Sequence, residues 1–302
     1  MAKIFVISGP TASGKSELAL QIAELSAAKG KEAVIINADS LQIYQGLPIL
    51  SSQPSAQDFL RASHLLYSHF GPKEYSSVGS WLQLVKETVE EIEKAGKLPI
   101  IVGGSGMYIS KLIEGISEIP EIDADIRANS RKLFEEIGFV DMQQKLIEMG
   151  GDEMTDAQRL MRAYEVLDQT GKSISWWQDQ PLKKILPEAE FVHVNLNPDR
   201  EILYNRCNER FEKMLELGAF EEVKALIQDN IQDEKQVTKT LGFYEMRDFL
   251  EGTMTREKMI EKATQKTRNY AKRQLTWFRN QLRDKYVFSS AKAALNFCKD
   301  EI

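Results

Sequence analysis

The chain has 302 residues, is 42% hydrophobic and 28% charged, and carries a formal net charge of −6. That is ordinary globular material, long enough for one large domain or two moderate ones, with no apolar run near the roughly 20 residues of a membrane span. Two distant cysteines, Cys207 and Cys298, exclude a disulfide scaffold, and His64, His69 and His193 form no metal-binding spacing.

The first apolar run, Ile4-Phe5-Val6-Ile7, predicts a core strand. Because Met1-Ala2-Lys3 leads straight into it, no signal peptide is expected, and a reduced, cytoplasmic setting follows. Next comes Gly9-Pro10-Thr11-Ala12-Ser13-Gly14-Lys15-Ser16, which fits G-x-x-x-x-G-K-[ST]. A helical run from Glu17 to Lys29 follows. Strand, glycine-rich loop and helix together distinguish a phosphate-binding loop from a chance glycine turn. Backbone N–H groups at the helix N-terminus would surround a diphosphate. Lys15 would neutralise its oxygens, and the Ser16 hydroxyl would bind Mg2+.

Further strands are predicted at Val34–Ile36, Ile100–Val102 and Phe191–Val194, with helices between them, as at Gly79–Lys94. Alternating strands and helices imply a parallel sheet covered by helices, with ligands beyond the carboxyl ends of the strands. Asn37-Ala38-Asp39-Ser40 follows the second strand, and Gly103-Gly104-Ser105-Gly106-Met107-Tyr108 follows the third. Residues 117–187 contain no strand-like run. They read as helices at Ala124–Ile137, Val140–Met149 and Thr155–Thr170, and so as a helical insertion. After the fourth strand, helices are predicted at Arg200–Glu216, Phe220–Asp229, Val237–Glu251 and Arg256–Arg283. The fold class is therefore α/β: a P-loop NTPase-like parallel sheet flanked by helices (1–116 plus 188–302), with an inserted all-helical domain at 117–187.

The usual strand-end acid that holds Mg2+ in a P-loop ATPase is missing after Val102. Asp39 is the acid placed at a strand end. It reads as a general base or, equally, as a cap for the next segment. Ser105 reads as a hydroxyl donor to a leaving group or as a plain turn residue. Arg159 and Arg162 share one helix face with Gln158, which suits phosphate or base-edge contacts as well as a salt-bridged surface. Between Arg256 and Lys285 stand ten basic residues against three acids, a local excess of seven on an acidic chain. Within it, Lys272 and Arg273 are the better candidates for RNA contact, and Trp277 and Phe278 read as core anchors.

Taken together, these segments resemble the tRNA dimethylallyltransferase (tRNA isopentenyltransferase) family. The matching stretches are 9–16, Asn-Ala-Asp-Ser-Leu-Gln-Ile-Tyr at 37–44, and Val-Gly-Gly-Ser-Gly-Met-Tyr at 102–108. Gln-Arg-Leu-Met-Arg-Ala-Tyr-Glu-Val at 158–166, Leu-Gly-Phe-Tyr-Glu-Met at 241–246, and Ala-Lys-Arg-Gln-Leu-Thr-Trp-Phe-Arg at 271–279 complete the set. They follow the family's order and cover nearly the whole chain.

The resemblance implies transfer of a dimethylallyl group from dimethylallyl diphosphate to N6 of adenine 37 in the tRNA anticodon stem-loop. It implies Asp39 as general base, with Ser105 standing where the family usually has Thr. Arg210 would join Gly9 to Ser16 on the pyrophosphate. Contacts with tRNA would come from Asp39, Ser40, Leu41 and Gln42; from Gln158, Arg159, Leu160, Met161 and Arg162; and from Lys239, Thr240, Gly242 and Tyr244. The lead Gly150–Ala157 departs from the family's His-Pro-Asn-Asp-like pattern, and the insertion is rich in acids, including Glu135, Glu136, Glu148, Asp152 and Glu153.

No apolar seam is evident, so a monomer is expected. Two other classes remain open from the residues: a P-loop kinase, which would consume ATP, and a non-enzymatic RNA-binding or nucleotide-switch protein. A prenyltransferase acting on free AMP or ATP would not need the 158–162 helix or the basic stretch.

Overall fold

A computed structural model describes residues 3–233, 235–282 and 285–302. Arg283 and Asp284, counted in the basic stretch, and Met1-Ala2 lie outside the described residues.

The strands are β1 (Lys3–Ser8), β2 (Ala33–Asn37), β3 (Ser63–Leu65), β4 (Leu98–Gly103), β5 (Glu190–Leu196) and β6 (Tyr286–Phe288). They form one sheet in the order β3-β2-β4-β1-β5-β6, and every pairing is parallel. The sheet has six strands where the sequence predicts four. The two extra ones, β3 and β6, are three-residue edge strands, each with two exposed residues, too short to leave a hydrophobic period. By contrast β2 and β4 are buried throughout, which is why both read as continuous apolar runs.

The helices are α1 (Lys15–Ala28), α2 (Ala56–Arg61), α3 (Val78–Lys94), α4 (Gly106–Glu114), α5 (Ala124–Glu148), α6 (Ala157–Thr170), α7 (Ile174–Gln178), α8 (Arg200–Leu217), α9 (Ala219–Gln228), α10 (Phe243–Leu250), α11 (Arg256–Gln281) and α12 (Ala291–Glu301). The side chains of Phe5, Ile7, Ile35, Ile100, Val192 and Val194 pack with Leu18, Ile22, Ala294 and Cys298 of α1 and α12. Trp81 of α3 is fully buried and stacks on Tyr108 at 4.6 Å, and its indole N–H donates to the Asn37 carbonyl at 2.9 Å. That bond braces the end of β2, where Asp39 begins.

The expected helix Val237–Glu251 is broken. Gln236–Lys239 forms a 3-10 turn, and α10 starts only after Gly242, whose φ of 92° is left-handed. A residue with a Cβ there would also meet the Phe211 ring at 2.9 Å.

By contact, the chain divides into Met1–Ile113 with Leu186–Ile302, and Glu114–Ile185. Within the second unit α5 packs on α6 through Met142, Leu146, Leu160, Ala163, Tyr164 and Leu167. Gly138, at φ 75°, kinks α5 where the sequence predicts two separate helices. No helix among the described residues is long and apolar enough to cross a membrane.

Candidate active site

The ends of β1, β2 and β4 converge at one edge of the sheet, and two helices close over them. After β1 the loop 9–14 wraps toward α1. Gly9 (φ 156°), Ala12 (φ 62°) and Gly14 (φ 91°) take backbone angles that turn the chain tightly. At Gly9 a Cβ would lie 2.8 Å from both the Leu196 carbonyl and Ser13 Oγ. The Ser13 hydroxyl is buried and has no hydrogen-bond partner among the described residues. A buried donor left open inside a phosphate-binding loop fits an anionic oxygen.

Lys15 Nζ donates to the Pro10 carbonyl at 3.2 Å. Burial lowers its pKa to about 8, an effect that nearby Asp39 opposes and Arg210 reinforces. Arg210 comes from α8, where its Nη1 donates to Thr11 Oγ1 at 3.0 Å, and burial lowers its pKa too. Two desolvated cations beside one loop make a site that gains by taking an anion.

Asp39 follows β2 in a tight turn. Its N–H donates to Asn37 Oδ1 at 2.8 Å, and its Oδ1 accepts from the Leu41 N–H at 3.0 Å. One carboxylate oxygen thus serves the cap-like role, while Oδ2 makes no hydrogen bond to the described residues. A Cβ at Gly104 would lie 3.5 Å from that Oδ2 and 3.5 Å from the Gly9 carbonyl. At Gly103 a Cβ would collide with the Ala38 backbone, so the two strand ends meet only because Gly103 has none. Ser105 Oγ accepts from the Ser40 N–H at 2.9 Å and donates to Ser40 Oγ at 3.2 Å. Its proton is therefore directed at Ser40, and the residue holds the two turns together.

Asp39, Thr11, Arg210 and Cys207 line one cavity with Thr267, Tyr270 and Gln274 of α11 and the apolar Leu41, Leu50, Phe211, Met214 and Leu241. Burial first, and Asp39 second, push the Tyr270 phenol well above its usual range. Gln274 is missed by sequence reasoning, although its neighbours Lys272 and Arg273 are not. Thr11 N–H donates to Gln274 Oε1 at 2.9 Å, and Gln274 Nε2 donates to the Gly104 carbonyl at 2.9 Å. Amphipathic patterning marks it as a core position on a basic helix, and nothing local reveals two loops as its partners.

The expected RNA-contact residues divide by exposure. Lys239, Lys272 and Arg273 are exposed, as are Gln158 and Arg159, and Arg159 pairs with Asp156 at 3.3 Å. Arg162 lies 3.7 Å from Glu165. Leu160 is a correction: it is fully buried in the helical core, so its side chain is not available to RNA. Gly242 is another, since it lies buried beneath Phe211. Met161 packs partly against the same helical core as Leu160. Gln42 spends its amide on the Ser51 and Ser52 carbonyls at 2.9 and 2.7 Å. Thr240 lines the cavity with its hydroxyl bonded to Val237 O, and the Tyr244 hydroxyl donates to Asp233 O. Ser40 and Leu41 flank Asp39 and are partly buried.

For Mg2+, the described residues hold no group of three or more His, Cys, Asp or Glu. Ser16 is exposed in the first turn of α1 and makes no hydrogen bond to them. Such a site fits a hydrated Mg2+ shared with substrate phosphates, which needs few protein ligands.

Comparison with known proteins agrees with this architecture. The family model "IPP transferase" matches residues 42–281. The chain is 38% identical to the tRNA dimethylallyltransferase of Rickettsia felis, over 94% of this chain and 92% of that one. It is 40% identical to that of Phenylobacterium zucineum, over 93% and 90%. A crystal structure of a eukaryotic dimethylallyltransferase acting on tRNA superposes with a TM-score of 0.77 at 26% identity, covering 100% of this chain and 77% of that one. With a P-loop NTPase-like sheet, a family model that matches residues 42–281 and curated relatives matched over at least 90% of their length, the chain belongs to the IPP transferase family.

Proposed function

We propose that the chain transfers the dimethylallyl group of dimethylallyl diphosphate to N6 of adenine 37 in a tRNA anticodon loop, releasing pyrophosphate. The observation that carries this reading is the convergence of Asp39 and the part-buried Arg210 on a cavity with apolar walls, beside the glycine-rich loop that holds the part-buried Lys15. A diphosphate needs the cations, a prenyl chain the apolar wall, and an amine nucleophile the carboxylate.

In this scheme the adenine leaves its stack to reach the cavity. Its exocyclic amine is a poor nucleophile, because the lone pair is delocalised into the ring. Asp39 accepts a proton from N6 as the N6–C1 bond forms and the C1–O bond to diphosphate breaks. The loop N–H groups, Lys15 and Arg210 take up charge on the departing pyrophosphate. Mg2+, held by Ser16 and the phosphates, would add further neutralisation of that leaving group. Ser105 contributes by tethering Ser40, and so the Asp39 turn. The exposed Lys239, Lys272 and Arg273 supply charge for the RNA backbone. One chain carries every residue in the scheme, so a monomer suffices. A cytoplasmic setting agrees with the tRNA substrate and with two buried free cysteines.

The test is incubation with labelled dimethylallyl diphosphate, Mg2+ and either an unmodified A36-A37-A38 stem-loop or free AMP. Label in the stem-loop alone is expected. ATP turnover with no label in RNA overturns the reading.

A further inference from the structure

Gln274 stands where three chain segments meet. It belongs to α11, is 6% exposed, and lines the cavity with Asp39. Its two hydrogen bonds join the phosphate loop at Thr11 to the β4 turn at Gly104, partners 263 and 170 residues away in sequence. The orientation of the amide is fixed by its partners. A backbone N–H can only donate and a backbone carbonyl can only accept, so Oε1 must face Thr11 and Nε2 must face Gly104. Among side chains of this length only glutamine offers an acceptor and a donor on one planar group without first taking up a proton. Space is equally specific: a Cβ at Gly104 would lie 2.5 Å from Gln274 Nε2.

We infer that Gln274 is a positioning residue for prenyl transfer: it sets the separation between the diphosphate loop and the Gly104 turn against which Asp39 Oδ2 lies. The inference rests on the prenyl-transfer reading. Diphosphate affinity is supplied by Lys15, Arg210 and the loop, none of which Gln274 replaces. What Gln274 controls is the alignment of the donor carbon between the leaving group and the amine that Asp39 deprotonates. Misplacing reacting groups by about 1 Å costs on the order of 100-fold in rate without a matching loss of binding.

Two variants test this in the stem-loop assay. Gln274→Met keeps the volume and removes both hydrogen bonds. It is expected to lower kcat about 30–100-fold while KM for dimethylallyl diphosphate stays within about threefold. Gln274→Glu keeps the acceptor for Thr11 but can donate to Gly104 O only when protonated. Its kcat relative to wild type at the same pH is therefore expected to rise as pH falls from about 8 to about 5.5. The titratable groups that line the cavity with this side chain are Asp39, Arg210, Cys207 and Tyr270, and taking the ratio to wild type removes their own titration. A merely structural glutamine would not give that pH-dependent recovery.

Wild-type kcat in Gln274→Met, or a flat Gln274→Glu ratio in enzyme that transfers label, overturns the positioning role alone. If Gln274→Met does not fold, the Gln274→Glu ratio decides by itself. A wild-type chain that transfers no label overturns the prenyl-transfer reading and this inference with it.

Discussion

Arg210 Nη1 donates to Thr11 Oγ1 at 3.0 Å, fastening a helix cation to the phosphate loop across 199 residues of sequence. The guanidinium is desolvated by burial, so it favours an anion brought within reach. Replacing Arg210 by Met should raise KM for dimethylallyl diphosphate about 10–100-fold, in line with the loss of charge-assisted hydrogen bonds. Arg210→Lys should recover part of this, because an ammonium restores charge without the planar fork. Steady-state kinetics and inhibition by pyrophosphate measure both.

Asp39→Asn isolates chemistry from architecture. The amide can still accept from the Leu41 N–H, so the turn survives. It cannot take a proton, so single-turnover transfer should slow about 100- to 10,000-fold. Pyrophosphate binding should hold or tighten, since a negative charge beside the anion is removed. Equal loss of binding and rate would remove the base assignment.

Lys15 gives a pH dependence of known sign. With its folded pKa lowered to about 8 from 10.5, the free enzyme loses this cation above about pH 8. There kcat/KM for dimethylallyl diphosphate should decline with rising pH, and Lys15→Met should erase that limb. Stability runs the other way. Between about 8 and 10.5 the unfolded chain binds the proton that the folded chain has lost, so this residue's contribution to stability increases with pH across that window. The unliganded Lys15→Met variant should accordingly melt above wild type at pH 7, with the gap closing toward pH 10.

His193 titrates in acid. Burial, aided by Lys285, lowers its pKa to about 4 from 6.5, and its Nε2 lies 2.8 Å from Ser8 Oγ. Its contribution is complete above about pH 6.5 and is lost as pH falls toward about 4, because the unfolded chain takes up a proton first. Unfolding free energy should therefore fall in that interval with a component of up to about 1.4 kcal/mol per pH unit. His193→Gln can still meet Ser8 and should flatten that component, as chemical denaturation at several pH values would reveal.

Much of this was readable from residues. Four strands betrayed themselves as β-branched runs, and the glycine-rich turn between β1 and α1 was legible in Gly9–Ser16 before any geometry. The edge strands β3 and β6 did not, because three residues, two of them exposed, are too few to carry a periodicity. Gly242 broke an expected helix with a left-handed φ, at a position where a Cβ would meet the ring of Phe211, a residue on another element. Leu160 sits inside a motif that suggests RNA contact, yet helical phase turns it into the core. Gln274 was hidden for the same reason at longer range: its role exists only where loops from two other strands arrive.

The parallel sheet also sets a schedule for the nascent chain. Val6 of β1 pairs with His193 of β5, and Thr11 is secured by Gln274. At roughly 5–20 residues per second, β5 leaves the ribosome about 10–40 s after β1, and α11 later still. For that interval the apolar Ile4–Ile7 strand has no completed sheet to join. The emerging enzyme thus presents a sticky N-terminal strand for most of its own synthesis, and its yield in a cell should depend on chaperone supply more than its finished stability would suggest.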